Sequence, residues 1–178
     1  EMSVKQHQAG AGIIFTASHN PAHWNALKFL NDEGEFMSPE NGQEIINYID
    51  SGQMTFADTN NLGVVYTYEF AIRDHIDQIL NYRHVCVDII RKAKLKVVVD
   101  CINSTGAISV PPLLDALGVQ YVLIHDDNFG HFAHNPEPLP EQLKDLSEAV
   151  IKHQAHLGIS VDPDVDRLAL ICEDGNPF

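Results

Sequence analysis

The chain has 178 residues, room for one large domain or two small ones. Its 25 acidic against 11 basic residues give a formal charge of -14, which excludes a general nucleic-acid binder, because a phosphate backbone needs a basic face. The three cysteines, Cys86, Cys101 and Cys172, are odd in number, far apart and never in a C-x-x-C pair, which argues against a disulfide framework or zinc knuckle and for buried thiols in a reducing cytosol.

Residues 1 to 11 read as a short helix or lead-in, broken by Ala9-Gly10-Ala11-Gly12. They lack the layout of a signal peptide, and no apolar run nears the ~20 residues of a membrane span, so a cytoplasmic chain with no membrane partner is expected. Gly12-Ile13-Ile14-Phe15 is an apolar run that stops at Thr16-Ala17-Ser18-His19-Asn20-Pro21, the pattern of a buried strand ending in a loop. Pro21 fixes its own φ and disfavours helix at Asn20, which stiffens that loop. A second strand is expected over Trp24 to Leu30, then a turn at Asn31-Asp32-Glu33-Gly34. Ser38 followed by Pro39 reads as an N-cap with Pro at the first helical position, opening a helix through Ile49.

Residues 51 to 64 are polar and turn-rich, the tail of a first domain or a linker. Tyr68 to Arg91 reads as mostly helical, with Ile72, Ile76, Ile79 and Leu80 on one face. Leu95 to Asp100 is a short β-branched run, expected as a buried parallel strand. A crossover helix over Gly106 to Leu117, with Pro111-Pro112 near its start, and a strand over Val119 to Ile124 complete a βαβ unit. A His-, Asn- and Pro-rich loop spans Phe129 to Pro140, and a helix spans Glu141 to His153 with Leu143, Leu146 and Val150 buried. Leu157 to Val161 is a strand that delivers Asp162-Pro163-Asp164-Val165-Asp166-Arg167 at its carboxyl end. A further strand covers Leu168 to Cys172, then a turn, and the chain stops at Phe178 without a capping element.

Two loops carry chemistry. Asp162, Asp164 and Asp166 stand at alternate positions after a strand, where their oxygens can meet on one hard cation; a solvated acidic turn is the plain alternative. An EF-hand reading fails because its sixth place needs Gly and holds Arg167. A dehalogenase-type phosphatase would use Asp162 as nucleophile and Asp164 as acid/base, but Asp166 stands where that pattern has Thr or Val. Ser18 lies beyond the carboxyl end of a strand, where α/β proteins place ligands. A hydrolase pair of Ser18 with His19 is disfavoured, since adjacent side chains on a stiff loop seldom point together and there is no G-x-S-x-G elbow. A capping or turn serine is the plain reading of that loop alone. His131 and His134 are three apart in a Pro- and Gly-containing loop with no Cys or third His near, which disfavours zinc there.

Together, the Thr16 to Pro21 and Asp162 to Arg167 motifs resemble the α-D-phosphohexomutase family, which includes the phosphoglucomutases, phosphomannomutases and phosphoglucosamine mutases. Val97 to Ala107 is similar to the family's entry strand and loop of the second domain, and Phe129 to Pro138 to its loop of Phe, His and Pro. The resemblance implies an intramolecular phosphotransferase that shifts a phosphoryl group between the 1- and 6-positions of a hexose or hexosamine phosphate, through a sugar bisphosphate. It implies Ser18 as the phosphorylated serine, and Mg²⁺ held by that phosphoserine with Asp162, Asp164 and Asp166. It implies Lys28 as general acid/base, Arg167 positioning the phosphoryl group, and His19 and Asn20 lining the site. Pro163 replaces the family's usual Gly and removes an N–H donor from the metal loop.

The fold class expected is α/β: two three-layer domains with mixed or parallel sheets flanked by helices. Residues 1–68 would be the incomplete first domain and 69–178 the second. The family has four domains, so the chain is expected to be a fragment that partners the remaining domains and is inactive alone. A non-catalytic Mg²⁺-binding module and the dehalogenase-type phosphatase are the alternatives.

Overall fold

The computed structural model describes every residue except 22 and 128. The chain divides into two compact units: Glu1–Phe15 with Ala26–Ala71, and Thr16–Asn25 with Ile72–Phe178. The serine loop therefore falls with the second unit.

In the first unit, helix α1 (Met2–Gln6) precedes strands β1 (Gly12–Phe15) and β2 (Leu27–Leu30), which pair antiparallel with Ile13 opposite Phe29. Strand β2 is shorter than the expected Trp24 to Leu30; Trp24 N–H donates to the Pro21 carbonyl, not to a strand partner. Helix α2 (Pro39–Asp50) starts as its sequence dictates: Ser38 Oγ accepts from Asn41 N–H at 3.2 Å and Pro39 takes a position whose N–H has no helical partner. No α2 residue is buried, and Phe15, Phe56, Val65 and Tyr66 are all exposed.

After the serine loop, the second unit resumes at Ile72 with α3 (Ala71–Leu80) and α4 (Val87–Ala93) rather than one helix across 68–91. In the break the helical ladder gives way to tighter bonds, Tyr82 N–H donating to the Ile79 carbonyl at 3.0 Å and Val85 N–H to the Tyr82 carbonyl at 2.8 Å. Cys86 sits in this break and is exposed, contrary to the expectation of three buried thiols; Cys172 is half-buried. Cys101 is buried, and burial, reinforced by the charges of Asp100 and Asp126, pushes its thiol pKa up to about 12.

Strands β3 (Lys96–Asp100), β4 (Gln120–Ile124), β5 (Leu157–Val161) and β6 (Leu168–Cys172) form one sheet in the order β4-β3-β5-β6. β3 runs parallel to both β4 and β5, and β6 is the antiparallel edge. Successive residues of β3 feed opposite faces. Val98 packs with Leu146, Val150 and Ile171 under α6 (Lys144–His153), while Val97 and Val99 pack with Leu114 and Val119 under α5 (Gly106–Leu117). Two helical layers thus cover a sheet of buried β-branched residues. Pro111 and Pro112 lie well inside α5, not near its start, where they leave the Ala107 and Ile108 carbonyls without a helical donor. The expected helix over 141–153 is a 3-10 turn (Pro140–Gln142) followed by α6, with Leu143 and Leu146 buried as the apolar stripe requires. The end of the chain folds back: Phe178 N–H donates to the Leu170 carbonyl, and Pro177 bridges Ile171.

α5 leads from β3 to β4 on one face and α6 from β4 back across to β5 on the other, so the crevice beyond the carboxyl ends of β3 and β5 is a topological switch point. The packing that holds β5 there is tight. A Cβ on Gly158 would lie 2.8 Å from Val150 Cγ2 and 2.9 Å from Ile171 Cβ. Gly158→Ala is expected to lower stability by about 1–3 kcal/mol through overpacking, read as a lower urea midpoint at unchanged slope.

Candidate functional site

The site is built from three loops of the second unit. The loop after β3 and the loop after β5 are joined by Ser104 Oγ, which donates to the Pro163 carbonyl at 3.0 Å. Asp162, at the end of β5, is fully buried. Its Oδ1 accepts the backbone N–H groups of Asp166 and Arg167, each at 3.0 Å, and its carbonyl accepts from Val165 N–H. These bonds curl the chain around the carboxylate, with Val165 at φ 61°. The curl gathers Asp162, Asp164 and Asp166 so that one oxygen of each lies within 4.8 Å of the others. The donors are supplied by residues 165 to 167, so the N–H that Pro163 lacks is not one the curl uses.

The serine loop reaches the same point. Ser18 Oγ lies 2.9 Å from Asp164 Oδ1 and 3.2 Å from Asp162 Oδ2. Thr16 holds the loop in shape: its Oγ1 accepts from Ser18 N–H at 2.9 Å and reaches Asp164 Oδ2 at 3.5 Å. Asn20 N–H closes the turn on the Ala17 carbonyl. Ser18 adopts φ 51°, the left-handed region uncommon outside glycine, a strain that clusters at functional sites. This φ also explains a departure from the sequence reading. His19 Nδ1 comes within 3.3 Å of Ser18 Oγ although the residues are adjacent, because the backward bend brings their side chains together.

A serine hydroxyl has one proton, yet two carboxylate oxygens lie within its reach. Asp162 is held above the usual carboxylate range, first by burial and then by sharing a hydrogen bond with Asp164; the Arg167 N–H opposes this, and the charges of Asp164 and Asp166 add to it. Oxygens packed this closely repel unless protons or a cation stand among them. The donor set is all oxygen and carries up to three negative charges, which fits a hard divalent cation.

Around this centre sits a residue the sequence reading gave no role, Glu137. Its Oε2 accepts from Arg167 Nη1 and lies 3.4 Å from His19 Nε2. Glu137 raises the Arg167 guanidinium pKa further, mainly through that hydrogen bond. Pro136 and Pro138 flank Glu137, a stiff setting that could have marked it out. Ser18, His19, Asn20, Asp162, Asp164, Asp166 and Arg167 all belong to the second unit, whereas Lys28 belongs to the first, on β2, with its ammonium 5.9 Å from the centre of the Phe36 ring.

Comparison with known proteins bears directly on this arrangement. Residues 73–175 match the phosphoglucomutase/phosphomannomutase α/β/α domain II, and residues 1–55 match domain I of the same family. The chain belongs to the α-D-phosphohexomutase family. A probable phosphoglucosamine mutase of Methanopyrus kandleri is 37% identical over 166 residues, covering 93% of this chain and 35% of the relative. A phosphoglucomutase/phosphomannomutase of Thermococcus kodakarensis is 34% identical over 176 residues, covering 98% of this chain and 38% of the relative. The chain thus spans little more than a third of the length of the phosphohexomutases it matches. Among solved structures, a phosphoglucomutase/phosphomannomutase family protein from Burkholderia thailandensis superposes with a TM-score of 0.72 at 27% identity, over 94% of this chain and 34% of that one. A putative phosphomannomutase from Thermus thermophilus shares the fold, with a TM-score of 0.77 at 21% identity, over 99% of this chain and 39% of that one. Among the described residues no helix is long and apolar enough to cross a membrane.

Proposed function

We propose that the chain is the phosphate-carrying part of a phosphohexomutase, with residues 1–68 the later part of its first domain and 69–178 its second. Ser18 carries the phosphoryl group. Asp162, Asp164 and Asp166 hold Mg²⁺ beside it. The observation that carries this reading is the meeting of Ser18 Oγ with Asp164 and Asp162, residues 146 and 144 positions away in sequence. A capping serine has no need of a partner so remote, and a solvated acidic turn does not bury its first carboxylate.

Mg²⁺, when bound, offsets the charge on the phosphoryl oxygens as they leave the serine. The residues of the chain supply the rest. In the transfer, the P–O bond to Ser18 breaks as a P–O bond to the free sugar hydroxyl forms, and that hydroxyl's proton passes to Lys28 or His19. The Ser18 oxygen leaves as an alkoxide beside the carboxylate trio that would hold the cation. In the return step that oxygen is rephosphorylated while the base gives its proton to the sugar oxygen released. The sugar bisphosphate then turns over and returns its other phosphate to Ser18. Arg167, anchored by Glu137, orients the phosphoryl group, and Asn20 lines the entrance. The substrate class is a hexose or hexosamine phosphate, supported by relatives named for glucosamine, glucose and mannose phosphates. The rest of the length found in those relatives is proposed to supply the sugar and phosphate clamps, and this chain alone to be inactive. The dehalogenase-type alternative is disfavoured because Asp162 is buried, with Oδ1 taken by two N–H groups and Oδ2 facing Ser18.

The test is to prime the full-length polypeptide with a hexose bisphosphate and assay it on 1-phosphosugars. Turnover to the 6-phosphosugar is expected. A primed protein that turns over none of the glucose, mannose or glucosamine phosphates overturns the reading.

A further inference from the structure

A second cluster lies at the carboxyl ends of β3 and β4, apart from the Ser18 centre in its residues and in its donor chemistry. Asp100 is fully buried, and a buried carboxylate needs partners. Its Oδ1 accepts from Ile102 N–H at 3.0 Å and faces His125 Nδ1, also at 3.0 Å. Its Oδ2 faces His134 Nε2 at 2.8 Å. One ligand atom from each of the three residues lies within 4.8 Å of the other two.

The outer nitrogens of both rings narrow the possibilities. His134 Nδ1 lies 2.8 Å from the Asn135 carbonyl oxygen, which can only accept, so Nδ1 carries a hydrogen. His125 Nε2 lies 3.4 Å from Asp145 Oδ2, on the side away from Asp100. Both rings turn their inner nitrogen on the same carboxylate. A neutral His134 would then point a lone pair at a carboxylate oxygen. Two arrangements relieve that: a doubly protonated His134 beside a His125 that donates its Nδ1–H to Asp100, or one divalent cation among the three donors. The first is a closed hydrogen-bonded cluster, with ring centroids 5.3 Å apart. The second puts two neutral rings and a carboxylate on one ion, with His134 steadied by the Asn135 carbonyl as metal-bound histidines commonly are.

We infer that Asp100, His125 and His134 form a second metal site, selective for a borderline divalent cation such as Zn²⁺ over the Mg²⁺ suited to the all-oxygen trio. Two imidazoles and one carboxylate are the donors such an ion prefers, and three protein ligands leave a coordination position open. The sequence disfavoured zinc at His131 and His134 because no Cys or third His is near them in the chain. The fold instead brings His125 from the end of β4 and Asp100 from the end of β3. An ion there pins the loop that carries Glu137 to the sheet. The inference stands independently of the phosphoryl-transfer reading.

The test is a Zn²⁺ titration of the chain in millimolar Mg²⁺, read by long-range proton–nitrogen spectra of the histidine rings. The unmodified protein is expected to bind one equivalent, with metal-type shifts at His125 Nδ1 and His134 Nε2 and at no other ring. His134→Gln is expected to lose the site, and Asp145→Asn to weaken it by about 10- to 100-fold. Asp164→Asn is expected to leave it unchanged. Absence of those two ring shifts at one equivalent, or shifts confined to other histidines, overturns the inference without recourse to any variant.

Discussion

Ser18→Ala is expected to abolish mutase turnover in the full-length polypeptide, by on the order of 10⁴- to 10⁶-fold, the scale seen when a covalent carrier is removed. The same change is expected to leave the fold nearly intact. Ser18 is only half-buried, and the bonds lost are those of one hydroxyl to Asp162, Asp164 and His19. A stability loss of about 1 kcal/mol or less is the corresponding scale. Intact mass should show one phosphate on the bisphosphate-primed parent and none on the variant. A variant that keeps its phosphate and its turnover would place the carrier elsewhere, with Asp162 the next candidate.

Asp164→Asn is expected to act with opposite signs depending on the cation. In the metal-free protein Asp162 is held above its usual range by burial and by its acidic neighbours. A carboxyl whose folded pKa is raised favours the native state at pH below its unfolded value. That contribution is lost as pH rises through the raised one. The metal-free chain should therefore lose stability between the ordinary carboxylate range and the elevated value. Removing the Asp164 charge relieves part of that repulsion, by up to about 1 kcal/mol. For a chain of this size that corresponds to a melting temperature roughly 2–4 °C higher in chelator at neutral pH. With Mg²⁺ the order reverses. The parent should gain about 2.7 kcal/mol at a cation concentration one hundred times its Kd, and the variant little of it. Thermal melts in chelator and in Mg²⁺ check both signs. Equal Mg²⁺ stabilisation of the two proteins would count against Asp164 as a ligand.

Local rules made much of this legible in the sequence. The β-branched run at Val97 to Val99, the Ser38-Pro39 cap and the Leu143, Leu146 and Val150 stripe each rest on a short-range pattern, and the structure follows them. Apolar spacing alone did not mark the break between α3 and α4, where i→i−3 bonds at Tyr82 and Val85 replace the helical ladder. The α5 helix lies over Gly106 to Leu117 as read, with Pro111 and Pro112 in its interior rather than near its start. At the site, the residue types and their spacing identified both loops, and family likeness identified their partnership. Glu137 and the Asp100 cluster stayed hidden because their partners are distant in sequence. Glu137 meets Arg167 across 30 positions, and Asp100 meets His125 across 25 and His134 across 34. Ser18 and His19 misled for a different reason: a left-handed φ brings together side chains that extended backbone would separate.

The proposed chemistry depends on one hard cation shared by the serine loop and the acidic loop. Crystals grown with Mn²⁺ in place of Mg²⁺, measured at the manganese edge, test that sharing most directly. One anomalous peak is predicted, within bonding distance of Asp162, Asp164, Asp166 and the Ser18 oxygen or its phosphate. A peak held by the three carboxylates but out of reach of Ser18, or no peak between the two loops, would contradict it.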